Sequence, residues 1–195
     1  ALQAIGARVL GFDSGEGQRI GAVRDGRVID LAAALDGAGR NGARIGRSMR
    51  EFLAGGAETR AAAEEALNIG ATNPGGGFSR PLEGTKLLAP VGDPQKLMCI
   101  GQNYRDHCAE QNMPLPDEAV LFAKFPSAIV GPGDAIKLPR QSQAVDYEAE
   151  LAFVIGRRAR NVSIADARQY VAGYMCLHDV SARDIQLSPR HGRQW

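Results

Sequence analysis

The chain has 195 residues, enough for one medium domain or a small one joined to a larger one, with the 44% hydrophobic and 23% charged content of ordinary globular proteins. A formal net charge of +1, without basic or acidic blocks, gives no footing for nucleic acid or an anionic membrane. No apolar run nears the roughly 20 residues of a membrane span, no secretory leader opens the sequence, and the three cysteines, Cys99, Cys108 and Cys176, have no metal spacing and read as reduced thiols of a cytoplasmic protein.

The opening segment reads as a small β unit. Residues 7–12 and 19–23 are strand candidates, and Asp25-Gly26 is a hairpin turn leading into 27–30. Residues 31–35 turn helical. Ser48 is placed to cap a helix over 49–53 that stops at Gly55-Gly56. Residues 58–67, rich in alanine and glutamate, make a further helix by propensity. Residues 1–72 are thus expected to form a small α+β module with no chemical motif, suited to packing or dimerisation. The Gly/Pro-punctuated segment 73–85 reads as a linker. Its Gly75-Gly76-Gly77 has neither a following Lys-Ser/Thr nor dinucleotide spacing, so it is not a phosphate loop.

Order resumes at residues 86–90, and residues 96–101 read as a strand ending in glycine. One or two helical turns are expected over 106–110. They put His107 and Glu110 three residues apart, on one helix face. A carboxylate beside an imidazole orients the ring and makes it a better base; the plain alternative is a solvated surface pair. Cys108 points elsewhere on such a helix and makes a poor partner as nucleophile. Residues 111–118 are irregular and proline-bearing, either a flap over a site or a plain loop. Strands are expected at 121–125 and 135–139, with a turn at 131–134 between them.

Residues 145–156 read as one strand rich in branched and aromatic residues, stopped by Gly156. Side chains alternate along a strand, so Glu148 and Glu150 point the same way. Two adjacent carboxylates call for a shared proton, a basic partner or a metal ion; an edge strand with its acids in water is the alternative. A helix capped by Ser163 is expected over 163–171, then a strand over 173–180 with Asp179 near its far end. If the two strands are neighbours, Glu148, Glu150 and Asp179 converge. Three carboxylates in one pocket need a cation, and all-oxygen ligation suits Mg²⁺, Mn²⁺ or Ca²⁺ rather than zinc or copper.

The motifs at 100–107 (Ile-Gly-Gln-Asn-Tyr-Arg-Asp-His), 145–151 (Val-Asp-Tyr-Glu-Ala-Glu-Leu) and 178–186 (His-Asp-Val-Ser-Ala-Arg-Asp-Ile-Gln) resemble, in order, those of the fumarylacetoacetate hydrolase family. The segments 111–114, 127–132 and 190–195 resemble its small "domain-containing" branch. The resemblance implies an α+β fold, in which the small N-terminal module precedes a catalytic mixed β-sandwich roll over 86–195. It implies a homodimer, and Mg²⁺ or Mn²⁺ held by Glu148, Glu150 and Asp179. It also implies a His107–Glu110 dyad on a flap, and substrate contacts from Gln186, Tyr104 and Arg105. Substrates would be 2-oxo or 1,3-dicarbonyl acids. The expected reaction is hydrolysis of a C–C bond, with keto–enol tautomerisation, oxaloacetate decarboxylation or a non-catalytic metal-binding role as alternatives. Family members carry a Gly-Lys shortly after the Gln-Trp that ends this sequence, so the roll is expected to be truncated.

Overall fold

A computed structural model describes residues 2–4 and 7–191. The fold is α+β. Its strands are β1 (Leu2–Ala4), β2 (Ala7–Asp13), β3 (Gln18–Arg24), β4 (Arg27–Asp30), β5 (Ser79–Pro81), β6 (Leu97–Gly101), β7 (Val120–Lys124), β8 (Val145–Asp146), β9 (Ala149–Ile155), β10 (Val171–His178) and β11 (Ser181–Ala182). Its helices are α1 (Leu31–Gly37), α2 (Met49–Ala54), α3 (Gly56–Thr72), α4 (Arg105–Glu110) and α5 (Arg183–Gln186). The chain forms two compact units, one of residues 1–92, 130–137 and 147–180, the other of residues 93–129, 138–146 and 181–195.

The first unit is built on a seven-stranded antiparallel sheet in the order β5-β4-β3-β2-β1-β10-β9. Its hairpin logic is local. Asp25 and Gly26 have φ of 49° and 70°, the left-handed pair of a two-residue turn that suits strand twist. Asp30 then ends β4 and caps α1, accepting from Ala33 N at 3.0 Å. Arg19 grips the same carboxylate through two bonds of 3.0 and 3.2 Å. Ser48 caps α2 by accepting from Glu51 N at 3.2 Å, while the Glu51 carboxylate accepts from Arg47 N at 2.7 Å.

The main core lies between the sheet and α1–α3. Val9, Ile20 and Ile29 meet Leu35, Phe52 and Ala66 there. On the other sheet face Leu10, Phe12 and Val28 form a second buried cluster, so β2 is covered on both sides. Gly70 lets α3 close onto β4: a Cβ at that position would stand 2.5 Å from Ile29 Cγ2.

Several elements differ from expectation. Within the expected linker, Ser79–Pro81 pairs with β4 as an edge strand, and Phe12 bridges to Leu87. Residues 79–81 of that segment therefore belong to the first unit's sheet. β1 was not anticipated; its Gln3 pairs with Tyr174 and joins the N-terminal meander to β10 in one sheet. Val154 of β9 packs against the main core. No strand forms at 135–139. The helix expected over 163–171 is reduced to a single 3-10 turn, Ala167–Tyr170. Its cap chemistry is present, with Ser163 Oγ donating to Asp166 Oδ2 at 2.7 Å and accepting from Asp166 N. Gly156 N donates to Tyr170 O at 2.8 Å, and Arg157 lies 4.2 Å over the Tyr170 ring. Val171 is already paired with Ile155, so ladder pairing takes the residues a longer helix would need.

In the second unit β6 and β7 form an antiparallel pair, and β8 pairs with β11. Cys108 is buried and anchors α4, its thiol donating to Gln102 O at 3.6 Å and its carbonyl accepting from Met113 N at 2.9 Å.

Candidate functional site

The strand expected over 145–156 is two strands. β8 pairs with β11 in the second unit, and β9 pairs with β10 in the first; Tyr147 and Glu148 belong to neither. A matching interruption falls at Asp179–Val180. Within the interruption, Asp179 N donates to Glu148 O at 3.0 Å. Asp179 therefore stands opposite Glu148, and Glu150 lies opposite Leu177. Like charges directly across a ladder repel, and the pairing opens where two carboxylates face each other.

Glu148 and Glu150 lie on the half-buried side of this ladder with Ala152 and Val154, while Leu151 and Phe153 point outward at 64% and 53% exposure. Asp179 is only 5% exposed. The backbone register thus collects the three expected ligands. The side chains do not close: among the described residues, no three His, Cys, Asp or Glu stand together as a metal-ligating group. The donor set is all carboxylate, two members half-buried and one buried, and its chemistry fits a hard divalent cation.

The second unit holds the expected base. α4 carries His107 and Glu110 on its last turn, both exposed. The ring's hydrogen bond comes from Gln111, whose Nε2 is 3.0 Å from His107 Nε2. No hydrogen bond or ion pair joins Glu110 to His107 among the described residues. The dyad is present as a helical spacing, not as a formed contact. Tyr104 and Arg105, at the start of α4, are exposed. The residues before it are constrained: Gln102 is left-handed at φ 55°, an uncommon setting for a non-glycine, and its amide donates to Met113 Sδ at 3.3 Å.

Gln186 is half-buried on α5, and its Oε1 accepts from Arg183 Nη1 at 2.9 Å. Arg183 also donates through Nε to Asp146 Oδ2 at 3.0 Å. With its oxygen occupied, the Gln186 amide has its NH₂ left for a ligand, which suits carboxylate or keto oxygens. α5 is tied down further by Asp184, which accepts from Ser142 Oγ at 2.6 Å and Gln143 N at 2.9 Å. The Ser142 hydroxyl, then the Gln143 amide, hold the Asp184 carboxyl below the ordinary carboxylate range. Sequence reading missed Arg183, Ser142 and Gln111. Gln111, four residues after His107, and Arg183, three before Gln186, carried local signals; Ser142 did not. Residues 192–195, part of the sequence resemblance, lie outside the described residues.

A family model for the fumarylacetoacetate (FAA) hydrolase C-terminal domain matches residues 96–195. The chain belongs to the fumarylacetoacetate hydrolase family. Among relatives, it is 43% identical over 196 residues to a mitochondrial oxaloacetate tautomerase of Xenopus laevis, covering 98% of this chain and 57% of that protein. It is 45% identical over 186 residues to one of Bos taurus, covering 95% of this chain and 52% of the other. The chain spans about half the length of the curated relatives it matches. Among solved structures, it resembles a fumarylacetoacetate hydrolase from Exiguobacterium antarcticum with a TM-score of 0.66 at 28% identity, covering 96% of this chain and 60% of that one. It resembles a maleylpyruvate hydrolase from Sphingobium, solved with manganese(II) and pyruvate, with a TM-score of 0.65 at 28% identity, covering 95% of this chain and 61% of that one. Fumarylacetoacetate hydrolase family membership agrees with the α+β fold and with the order of the three motifs.

Proposed function

We propose that the chain carries chemical groups of a metal-dependent enzyme that interconverts keto and enol forms of a 2-oxo dicarboxylic acid, with oxaloacetate as the first substrate to test. The observation that carries this reading is the common register of Glu148, Glu150 and Asp179 along the β9–β10 ladder. It is supported by 95–98% coverage of this chain by relatives named as oxaloacetate tautomerases. Tautomerisation thus takes precedence over the C–C hydrolysis expected from sequence.

In this reading Glu148, Glu150 and Asp179 hold Mg²⁺ or Mn²⁺. A hard divalent cation there supplies Lewis acidity that lowers the cost of negative charge on a 2-oxo oxygen. The chain's own residues do the rest. His107 accepts a proton from the carbon between the two carbonyl groups and returns it to oxygen or carbon, which leaves the substrate's atoms and charge balanced. Glu110, three residues on along α4, is the acid that would stabilise the protonated ring once its carboxylate turns to it. The Gln186 NH₂, with its oxygen held by Arg183, donates to a substrate oxygen and fixes which end of the acid enters.

A second reading, hydrolysis of an acylpyruvate, is supported by the likeness to the maleylpyruvate hydrolase. There His107 would take its proton from water, and the resulting hydroxide would attack a carbonyl and release an enolate.

The test is a substrate panel followed for loss of oxaloacetate enol absorbance and for C–C cleavage of acylpyruvates, with and without Mg²⁺ or Mn²⁺. Ion-dependent loss of enol absorbance without cleavage supports the tautomerase. Cleavage alone turns the assignment to the hydrolase, and inactivity of the protein on both substrates with metal present sinks the enzyme reading.

A further inference from the structure

We propose that Gln111 is a positioning residue for His107: it holds the neutral ring as the Nδ1–H tautomer and so makes Nε2 the proton-accepting atom. The inference rests on the reading of His107 as the base. Gln111 Nε2 lies 3.0 Å from His107 Nε2. A side-chain NH₂ only donates, so the ring nitrogen facing it presents its lone pair. In a neutral imidazole the other nitrogen, Nδ1, then carries the hydrogen.

The backbone reinforces the contact. Gln111 N donates to His107 O at 3.3 Å, which sets the two side chains four residues apart on one helical face. Asn112 follows at φ 52° and turns the chain away directly after Gln111. Among the described residues Glu110 makes no bond to the ring, so the contact that sets the tautomer is the one from Gln111. Both His107 and Gln111 are exposed, so an incoming substrate can displace the amide from Nε2 without opening a core.

The tautomer is read directly from two-bond ¹H–¹⁵N correlations in histidine-labelled protein at a pH where the ring is neutral. His107 is expected as Nδ1–H. Gln111→Ala should move it toward Nε2–H, the form a free histidine side chain prefers in water. Gln111→Glu, whose carboxylate accepts from Nε2–H, should reverse the tautomer. Gln111 is exposed, so neither change removes core packing. Turnover in Gln111→Ala should fall on the order of tenfold at little change in KM, a fraction of what a positioned base contributes. An Nε2–H ring in the unmodified protein, or a tautomer unmoved in both variants, overturns the proposal. Retained turnover in His107→Ala would instead remove His107 as the base, and is told apart because the tautomer spectrum is read without substrate.

Discussion

Residues 7–82 and residues 97–191 are held together in different ways. The largest fully buried side chains of the described residues, Phe12 and Phe52 among them, lie in the first stretch, with Cys108 the exception. The exposed large apolar side chains, from Met98 to Leu187, lie in the second. The first stretch is a two-faced sheet closed by helices. The second is held by ladders and polar side-chain bonds, as at Asp184–Ser142 and Arg183–Asp146. On β9 the apolar residues Leu151 and Phe153 face outward while the acids take the less exposed side. The lesson is a division of labour: stability is concentrated where no chemistry is proposed, and the proposed chemistry sits where little core depends on it.

The sharpest way to break that division is at the base. His107→Ala should lower turnover by about 10²–10⁴-fold, the usual contribution of a positioned acid–base group, with the melting temperature nearly unchanged. A large loss of stability there would show that α4 belongs to the core after all. Glu148→Ala should likewise remove Mg²⁺ or Mn²⁺ binding in calorimetry while thermal unfolding without metal stays put. Unchanged affinity would overturn its assignment as a ligand.

From the other side, Phe52→Ala should cost about 3–5 kcal/mol in denaturant unfolding and leave activity per folded molecule intact, because its cavity opens in the main core. Asp30→Ala removes the α1 cap and the Arg19 partner together and should cost about 2–3 kcal/mol in the same assay. The smallest effect concerns pH. The Asp184 carboxyl is held below its ordinary value of 3.8, so its contribution to stability is present above that value and is lost as pH falls through the lowered one. Ser142→Ala should move its NMR titration back toward 3.8 and slightly lower stability at neutral pH, where that contribution is present.

The first stretch was largely legible because its signals are local. Asp25-Gly26 names its turn and Ser48 its cap, and both act within four residues. What was hidden there was non-local, the edge strand β5 and the joining strand β1, set by partners distant in sequence. In the second stretch the motifs identified the family, and the structure places Asp179 opposite Glu148. The interruption at Tyr147–Glu148 was not legible, because the alternation of residues continues across it and gives no hint of where the partners change. The helix expected at 163–171 failed for a related reason: Val171 has a strand partner in Ile155, and pairing outweighs propensity. Gln111 was not legible as the ring's partner because a neutral amide four residues on gives no charge signal, whereas the acid at Glu110 does.

The pairing of Gln3 with Tyr174 also sets an order of assembly. It closes a loop of roughly 170 residues, so its entropic cost is met only after both flanking pieces exist. The β2–β4 meander and the β9–β10 hairpin are each built from near neighbours and can form early. On the ribosome the meander emerges first, and its β1 side stays an unpaired edge until β10 has been synthesised. A strand of three residues is a small template for wrong partners, and its brevity protects the nascent chain while it waits.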